Sequence, residues 1–352
     1  MNDSELNHLL REWKAPDAPS HLRPRGTRRP RLRRLVAGTI RVPVLAPVAA
    51  LALVVVWLAS SRTDPTSAVP AAGTAGQGDP AVWALSAPDD YRVIADVPYL
   101  TTENGESRLD LYVPRGGGPR PTVLYFHGGF WVRGSKEANV LQLLPYLEMG
   151  WAVVNVGYRL GRVAPAPAAV EDARCALHWV ARNATQYGFD ASRIVVTGHS
   201  AGGHLSLTTG MLSREAGLDE LCPGTDGAQV AAVVDWYGPT DVGALLSGAN
   251  GDLVAEWLGN MPDRLDVAAR VSPINLVRAG LPPILTVHGE DDMVVPYENS
   301  VELHDALERA GVRHELVNVP GGGHGDFTRA QTAEIFERIR EFLADQGLTA
   351  QP

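Results

Sequence analysis

The stretch TGHSAGGHLS, residues 197–206, places Ser200 between two glycines at the spacing G-x-S-x-G. A serine hydroxyl is a weak nucleophile near neutral pH, so it needs a base to take its proton and a third group to orient that base. Glycines on both sides suit a sharp strand-to-helix turn, because larger side chains would block the close approach of the strand and the helix. The motif predicts acyl-transfer chemistry if a base and an acid follow.

Both partners follow in the chain order Ser, Asp, His that nucleophile-turn enzymes use. His324 lies between two glycines in GGGHG, and Asp291 and Asp292 lie in HGEDDMVVP. The order alone does not say which aspartate is the acid. His199 and His204 flank Ser200, and we interpret both as packing residues rather than bases.

Acyl transfer also needs hydrogen-bond donors for the oxyanion that forms on the substrate. The segment HGGFW, residues 127–131, carries glycines that let backbone N–H groups point inward. We expect the N–H groups of Gly129 and Phe130 to form this hole together with that of Ala201. A helix that begins near Ala201 would also direct its positive dipole end at the site.

Alternating apolar runs and helical patterns must position these residues. The predicted strands are RLDLYVP, TVLYFHGG, AVVNVGY, RIVVTG, AAVVDWYG, PILTVHG and HELVNVPG, and the predicted helices span residues 168–188, 298–311 and 333–347. This alternation predicts an α/β fold with a mostly parallel central sheet and helices on both faces. Every candidate residue follows the end of a predicted strand, where such sheets gather their functional groups.

Composition excludes several other kinds of chemistry. The chain has 352 residues with a net charge of −9, and it contains two lysines, two cysteines and no H-E-x-x-H or phosphate-loop motif. We therefore expect no metal, no cofactor and no nucleic-acid partner. Cys175 and Cys222 could form a disulfide or be two small buried side chains, and the oligomeric state is not predicted.

The first residues differ from the rest of the chain. Residues 1–60 carry 10 Lys and Arg against 4 Asp and Glu, and residues 42–59 hold no charge. We expect a basic cytoplasmic stub at 1–41, a transmembrane signal anchor at 42–59, a flexible linker at 60–84 and a catalytic domain at 85–347. This places the protein in the cell membrane with its catalytic domain outside the cytoplasm. The alternative is a cleaved export signal and a secreted protein.

From about residue 88 to residue 345 the chain resembles the α/β-hydrolase superfamily of serine esterases. The matching segments are LDLYVP, HGGFW, GYRL, GHSAGGHLS, SPINLV, HGEDDMVVP and GGGHG, which resemble hormone-sensitive-lipase-like and bacterial feruloyl-esterase-like carboxylesterases. The resemblance implies hydrolysis of a small-molecule ester through an acyl-enzyme without a cofactor, with Asp292 as the acid beside Ser200 and His324. Many relatives have a third glycine where this chain has Phe130, whose ring we expect to narrow the acyl pocket.

Two expectations concern the substrate. Trp131, Trp236 and Tyr237 are expected to line a pocket for an aryl or sugar ester. An insertion at about 242–281 is expected to form a small lid, with Trp257 or Leu258 facing the substrate, or else a surface insertion with its own small core.

Other functions remain open from the residues. An arylformamidase-like amidase would use the same mechanism, and a prolyl-oligopeptidase-like serine peptidase would lack its usual N-terminal propeller here. A non-catalytic binding module is the alternative from a different class, and the intact Ser200, Asp292 and His324 disfavour it.

Overall fold

The computed structural model describes residues 91–116, 118–224 and 228–350. Within them the chain forms one eight-stranded sheet in the order β1-β2-β4-β3-β5-β6-β7-β8. The strands are β1 Tyr91–Thr102, β2 Gly105–Pro114, β3 Arg120–Phe126, β4 Ala152–Val156, β5 Phe189–His199, β6 Ala232–Trp236, β7 Ile284–Gly289 and β8 His314–Val319. The β1–β2 and β2–β4 pairs are antiparallel and the other five pairs are parallel, so the predicted mostly parallel α/β fold is confirmed.

Helices cover both faces of the sheet. They are α1 Leu144–Glu148, α2 Ala168–Tyr187, α3 Ala201–Met211, α4 Val242–Leu245, α5 Gly251–Leu258, α6 Arg264–Val271, α7 Glu298–Arg309 and α8 Arg329–Asp345. Alternate residues of the strands supply the two cores: on β3, Leu124 and Phe126 pack into one, and Val123 and Tyr125 into the other. This burial on both faces explains the nearly continuous apolar strands.

The sequence prediction did not include β1. This strand lies at the edge of the sheet, contains Pro98 and has two irregularities in its pairing with β2, between Ile94 and Val97 and between Pro98 and Leu100. An edge strand with a proline and mostly exposed side chains carries no clear period-two apolar pattern.

The insertion shares the main core, so it has no separate core and the expectation that Trp257 or Leu258 faces the substrate is wrong. Trp257 and Leu258 on α5 are fully buried in the same apolar cluster as the helices beneath the sheet, so neither faces a substrate. Trp257 stacks on Trp131 with ring centroids 4.0 Å apart, and its carbonyl accepts a hydrogen bond from Ala166 N. The insertion is therefore fastened to the body of the domain.

His204 joins three elements at this point. Its Nε2–H donates to Val271 O on α6 at 2.7 Å, while its Nδ1 accepts from the indole N–H of Trp131 at 3.2 Å. Burial lowers the pKa of His204 to about 4, partly opposed by the bond to Val271 O. The ring is therefore neutral and acts as a structural link, which agrees with its interpretation as a packing residue.

Two features were left open or unseen in the sequence. Cys175 on α2 and Cys222 form a disulfide across 47 residues. Asp235 on β6 is fully buried, and burial raises its pKa to about 7 despite hydrogen bonds from Gly238 N and Thr286 Oγ1.

In the described part of the chain no helix has the length and apolar character of a membrane span, and the segment 42–59 lies outside that part.

His204 is expected to make the fold sensitive to acid. Its pKa is lower in the folded protein than the ordinary 6.5, so the unfolded chain binds the extra proton and stability falls as the pH falls. Gln in its place can keep both hydrogen bonds without titrating. Between pH 7 and pH 5 the unfolding free energy of the parent, relative to His204→Gln, should fall by about 2 kcal/mol.

Urea unfolding of both proteins at the two pH values measures this difference. Asp235 has the opposite sign, because its raised pKa favours the folded state at low pH, but it is present in both proteins and cancels in the comparison. A pH-independent difference would contradict the role of His204.

Candidate active site

Ser200 occupies a strained turn between β5 and α3. Its φ is +56° and its ψ is −122°, a conformation that side-chain-bearing residues rarely adopt. Ser200 N donates to Trp236 O at 2.8 Å, and Ser200 O accepts from His204 N at 3.0 Å, so β6 and the first turn of α3 hold both sides of the residue. The hydroxyl is thereby placed at the end of the sheet.

The flanking glycines are required by contact with β3. A Cβ at Gly202 would lie 2.0 Å from Phe126 O, and one at Gly198 would lie 2.3 Å from the same atom. No side chain fits at either position. The end of β3, which leads into HGGFW, therefore packs directly against the turn that carries Ser200.

The structure brings Ser200, His324 and Asp292 into one hydrogen-bonded line. Ser200 Oγ lies 2.8 Å from His324 Nε2, and His324 Nδ1 lies 2.7 Å from Asp292 Oδ2. A carboxylate only accepts, so His324 Nδ1–H donates to Asp292 and Nε2 is left to accept from the Ser200 hydroxyl. This is the arrangement in which an imidazole can take a proton from serine.

Of the two adjacent aspartates, Asp292 is buried and Asp291 is exposed. Burial alone would raise the pKa of Asp292, but hydrogen bonds from His288, His324 and Val295 N outweigh it and hold the pKa well below its usual range. The carboxylate is therefore an anion at any pH at which the protein would work, and it can stabilise a positive charge on His324.

Hydrogen bonds accepted by its carbonyl oxygens hold the HGGFW segment in place. Tyr158 OH donates to His127 O at 2.8 Å, and His127 Nδ1–H donates to Gly128 O at 2.8 Å. Gly129 O accepts from the N–H groups of Val132 and Arg133. Because the C=O and N–H of one planar trans peptide point in opposite directions, these bonds also fix the N–H groups of Gly129 and Phe130.

Ala201, the third expected donor, is the first residue of α3. Its N–H is one of the initial donors of a helix that no intrahelical carbonyl can reach. The ring of Phe130 is partly buried, packs against the core and lies 5.6 Å from the Arg133 guanidinium, and it does not contribute to the cavity described next.

A cavity of about 350 Å³ lies near the hydrogen-bonded line, although Ser200, His324 and Asp292 do not themselves form its wall. His199, the residue before Ser200, and Gly325, the residue after His324, both contribute to its wall. Six aromatic side chains contribute to the wall: Tyr125, Tyr146, Trp236, Tyr237, Phe327 and Phe336. Polar side chains, including Gln142, Glu148 and Arg329, complete it.

Trp236 and Tyr237 are in the wall of this cavity, and Trp131, which was expected beside them, is not. Trp131 is 1% exposed, stacks on Trp257 and donates its indole N–H to His204, so it belongs to the core. A tryptophan beside a glycine-rich turn is ambiguous in sequence, because its ring can turn to the cavity or to the interior. Here the positive φ of +59° accompanies the inward direction.

Several contacts around the site were not indicated by the sequence. Tyr237 has a φ of +41°, and its ring lies 4.7 Å from the ring of His324. Tyr125 OH lies 2.6 Å from His199 Nδ1, and burial raises the pKa of Tyr125 well above its ordinary value, so the phenol is the donor. Burial, with His127 and His324 nearby, lowers the pKa of His199 to about 4, which leaves it neutral.

Metal ligands are not grouped in the described ranges. Across residues 91–116, 118–224 and 228–350, no set of three or more His, Cys, Asp or Glu side chains is arranged to hold an ion.

Comparison with known proteins adds to this geometry. Residues 109–307 match the family model named BD-FAE. The chain is 31% identical over 280 residues to ethyl acetate hydrolase of Pseudomonas putida, covering 74% of this chain and 81% of that protein. It is 30% identical over 219 residues to esterase LipC of Mycobacterium tuberculosis, covering 59% of this chain and 53% of that protein. The chain thus spans about half to three fifths of the length of several relatives, including 57% of LipM and 61% of LipQ.

Solved structures give the same result. A truncated carbohydrate esterase from gut microbiota aligns with a TM-score of 0.63 and 29% identity, covering 74% of this chain and 98% of that one. The propionate-bound esterase Est2 of Thermogutta terrifontis aligns with a TM-score of 0.62 and 29% identity over 75% of this chain and 97% of that one. Together with the family match and the ethyl acetate hydrolase, they identify the chain as a member of the BD-FAE family of α/β-hydrolase esterases.

Proposed function

We propose that the protein is a serine carboxylesterase that hydrolyses small carboxylic esters through an acyl-enzyme. The observation that carries this proposal is the line of hydrogen bonds from Ser200 Oγ through His324 to the buried carboxylate of Asp292. The names of the relatives, which are esterases and carboxylesterases, support the same reaction.

The acylation half-reaction follows from the protonation states in this line. His324 Nε2 takes the Ser200 proton as Oγ attacks the ester carbonyl carbon, and Asp292 stabilises the imidazolium that forms. The tetrahedral intermediate then expels the alcohol oxygen, which receives the proton from His324. The result is an acyl-serine and a free alcohol.

Deacylation reverses these roles with water. His324 takes a proton from a water molecule as the water oxygen attacks the acyl carbon, and the proton returns to Ser200 Oγ as the carboxylic acid leaves. We assign the N–H groups of Gly129, Phe130 and Ala201 to the oxyanion in both steps. The fixed peptide planes of HGGFW support this, because preorganised donors stabilise the oxyanion without rearrangement.

The aromatic cavity is proposed to receive an apolar or aryl group of the ester. Its volume of about 350 Å³ and its rings suit a small planar group beside the reacting carbonyl. We further propose that residues 242–281 cover one side of the site as a fixed lid. The support is the stack of Trp257 on Trp131, which directly follows the proposed donor Phe130.

We also propose that residues 42–59 anchor the protein in the cell membrane, with the cytoplasmic N-terminus preceding them and the catalytic domain outside the cytoplasm. The uncharged segment after seven arginines at 23–34 supports this orientation. The Cys175–Cys222 disulfide supports it independently, because disulfides form and persist mainly in oxidising compartments. A secreted protein is the alternative outcome.

Replacing the nucleophile tests the reaction. The full chain and its Ser200→Ala variant are compared on p-nitrophenyl esters from acetate to decanoate. We expect the parent to cleave the short esters and kcat of the variant to fall by about 10⁴ or more, because the residual rate comes from the oxyanion donors and binding alone.

Absence of ester cleavage by the parent would contradict the proposal, and formamide and peptide substrates would then distinguish the amidase and peptidase alternatives. Equal rates for the parent and Ser200→Ala would contradict the role of the serine.

The cavity is tested through Phe336, a partly buried ring on α8. The substrates are methyl propanoate, phenyl propanoate and methyl 3-phenylpropanoate, which carry no ring, a ring in the alcohol and a ring in the acyl group. Phe336→Ala should lower kcat/KM about 10-fold for one of the ring-bearing esters and leave that for methyl propanoate unchanged, because ring contacts are lost. An equal loss of kcat/KM on all three esters would contradict the proposal that the cavity receives the ring of the ester.

The anchor is tested in bacterial cells that express the full chain. We expect the protein to stay with the membranes after carbonate washing, to be cut by protease added to spheroplasts and to contain no free thiol. Val54→Asp/Val55→Asp should release it from the membrane or prevent export, whereas Val69→Asp, in the predicted linker, should not. Protease protection in intact spheroplasts together with two free thiols would contradict the proposed location.

A further inference from the structure

A second histidine lies against the carboxylate of Asp292. His288 is on β7, four residues before Asp292, and it is fully buried. Its Nε2 lies 3.0 Å from Val295 O and 3.2 Å from Asp292 Oδ2. Both neighbours are acceptors, so Nε2 carries the proton, which it donates to Val295 O while lying against the carboxylate oxygen.

The other ring nitrogen has a partner that suits this tautomer. Ser300 Oγ, in the first turn of α7, lies 2.6 Å from His288 Nδ1. Because Nε2 holds the proton of the neutral ring, Nδ1 accepts and the Ser300 hydroxyl donates. Ser300 is also fully buried, so this bond does not compete with water. The rings of Tyr237 and Tyr297 pack on the same imidazole, with centroids 6.5 and 5.6 Å from it.

The remaining donors to Asp292 show what His288 adds. Asp292 Oδ1 accepts from the N–H groups of Val294 and Val295, at 2.8 and 2.9 Å. Oδ2 accepts from His324 and faces His288. The same histidine therefore holds the carboxylate directly and holds the loop that supplies two of its other donors, through Val295 O. An unmet lone pair on a buried carboxylate is costly, so this set fixes where Oδ2 can lie.

We propose that His288 is a positioning residue for the Ser200–His324–Asp292 line, with Ser300 fixing its tautomer, so that five side chains from Ser300 to Ser200 act as one connected unit. The inference rests on the proposed function, because it assigns a role within that reaction. His288 touches neither the substrate nor the reacting atoms. It acts by holding Asp292 Oδ2 at the distance from which it orients His324.

Two substitutions at His288 separate positioning from packing. Gln can direct an amide N–H from nearly the same place as Nε2, whereas Met fills similar space without a donor. In the full chain we expect His288→Met to lower kcat on p-nitrophenyl acetate about 10- to 100-fold with KM within about twofold, since displacement of a catalytic group costs rate rather than binding. His288→Gln should stay within about threefold of the parent.

The pH profile gives a readout that packing would not move. In His288→Met the carboxylate is displaced from His324 and stabilises its imidazolium less, so the acid limb of kcat/KM should shift to lower pH. His304→Met is the matched control, because it removes another buried histidine, one that pairs with His314 rather than with Asp292. Its acid limb should match that of the parent.

The rate at which diisopropyl fluorophosphate modifies Ser200 tests the inference apart from ester hydrolysis. If the parent cleaves no ester but is modified, the proposed function fails, and the ratio of the Met rate to the Gln rate still decides the role of His288. We expect that ratio to be about 0.1 or lower. Equal rates for Met and Gln, or no reaction of the parent, would overturn the inference.

Ser300→Ala decides the matter if His288→Met does not fold. It removes the donor that fixes the tautomer, and we expect a loss of about threefold to tenfold in the modification rate. Ser272→Ala is its control, because Ser272 is an equally buried hydroxyl that bonds Ala268 O and Val242 N, at the insertion. A Ser300→Ala rate equal to that of Ser272→Ala would overturn the inference.

Discussion

The contact between Gly202 and Phe126 O is the constraint on which the site depends. It brings the end of β3 against the start of α3 at a distance that no side chain allows. Since β3 leads into HGGFW and α3 begins directly after Ser200, one backbone contact sets the proposed oxyanion donors beside the proposed nucleophile.

Backbone strain is concentrated at the same edge of the sheet. Among the described residues, four of the five non-glycine positions with positive φ are Phe130, Trp131, Ser200 and Tyr237, and each follows the end of a parallel strand. Such residues persist only where surrounding bonds determine them. Here those bonds include Ser200 N to Trp236 O and Tyr237 N to Val287 O, so three neighbouring strands hold one another's ends in place.

The sequence was sufficient to predict the features of the fold and the site that depend on glycine positions, strand periodicity and the order of residues in the chain. Glycine spacing, strand periodicity and the order Ser, Asp, His led to the parallel sheet and to three residues that do lie in one hydrogen-bonded line. It was insufficient where a side chain had two directions open to it. Trp131, Trp257 and Leu258 were expected near substrate, but they are buried because the insertion joins the main core. The Tyr125–His199 pair joins residues 74 apart and the Ser300–His288 pair joins β7 to the helix that follows it, and no local sequence pattern indicates either.

The central claim is that Ser200 is the nucleophile that His324 and Asp292 activate. The most direct measurement is to treat the full chain with diisopropyl fluorophosphate, digest it and locate the added mass by peptide mass spectrometry. The account predicts one modified residue, Ser200, and modification that slows in acid, because a protonated base cannot accept the serine proton. Modification at another serine, or none under conditions in which the protein is folded, would contradict it.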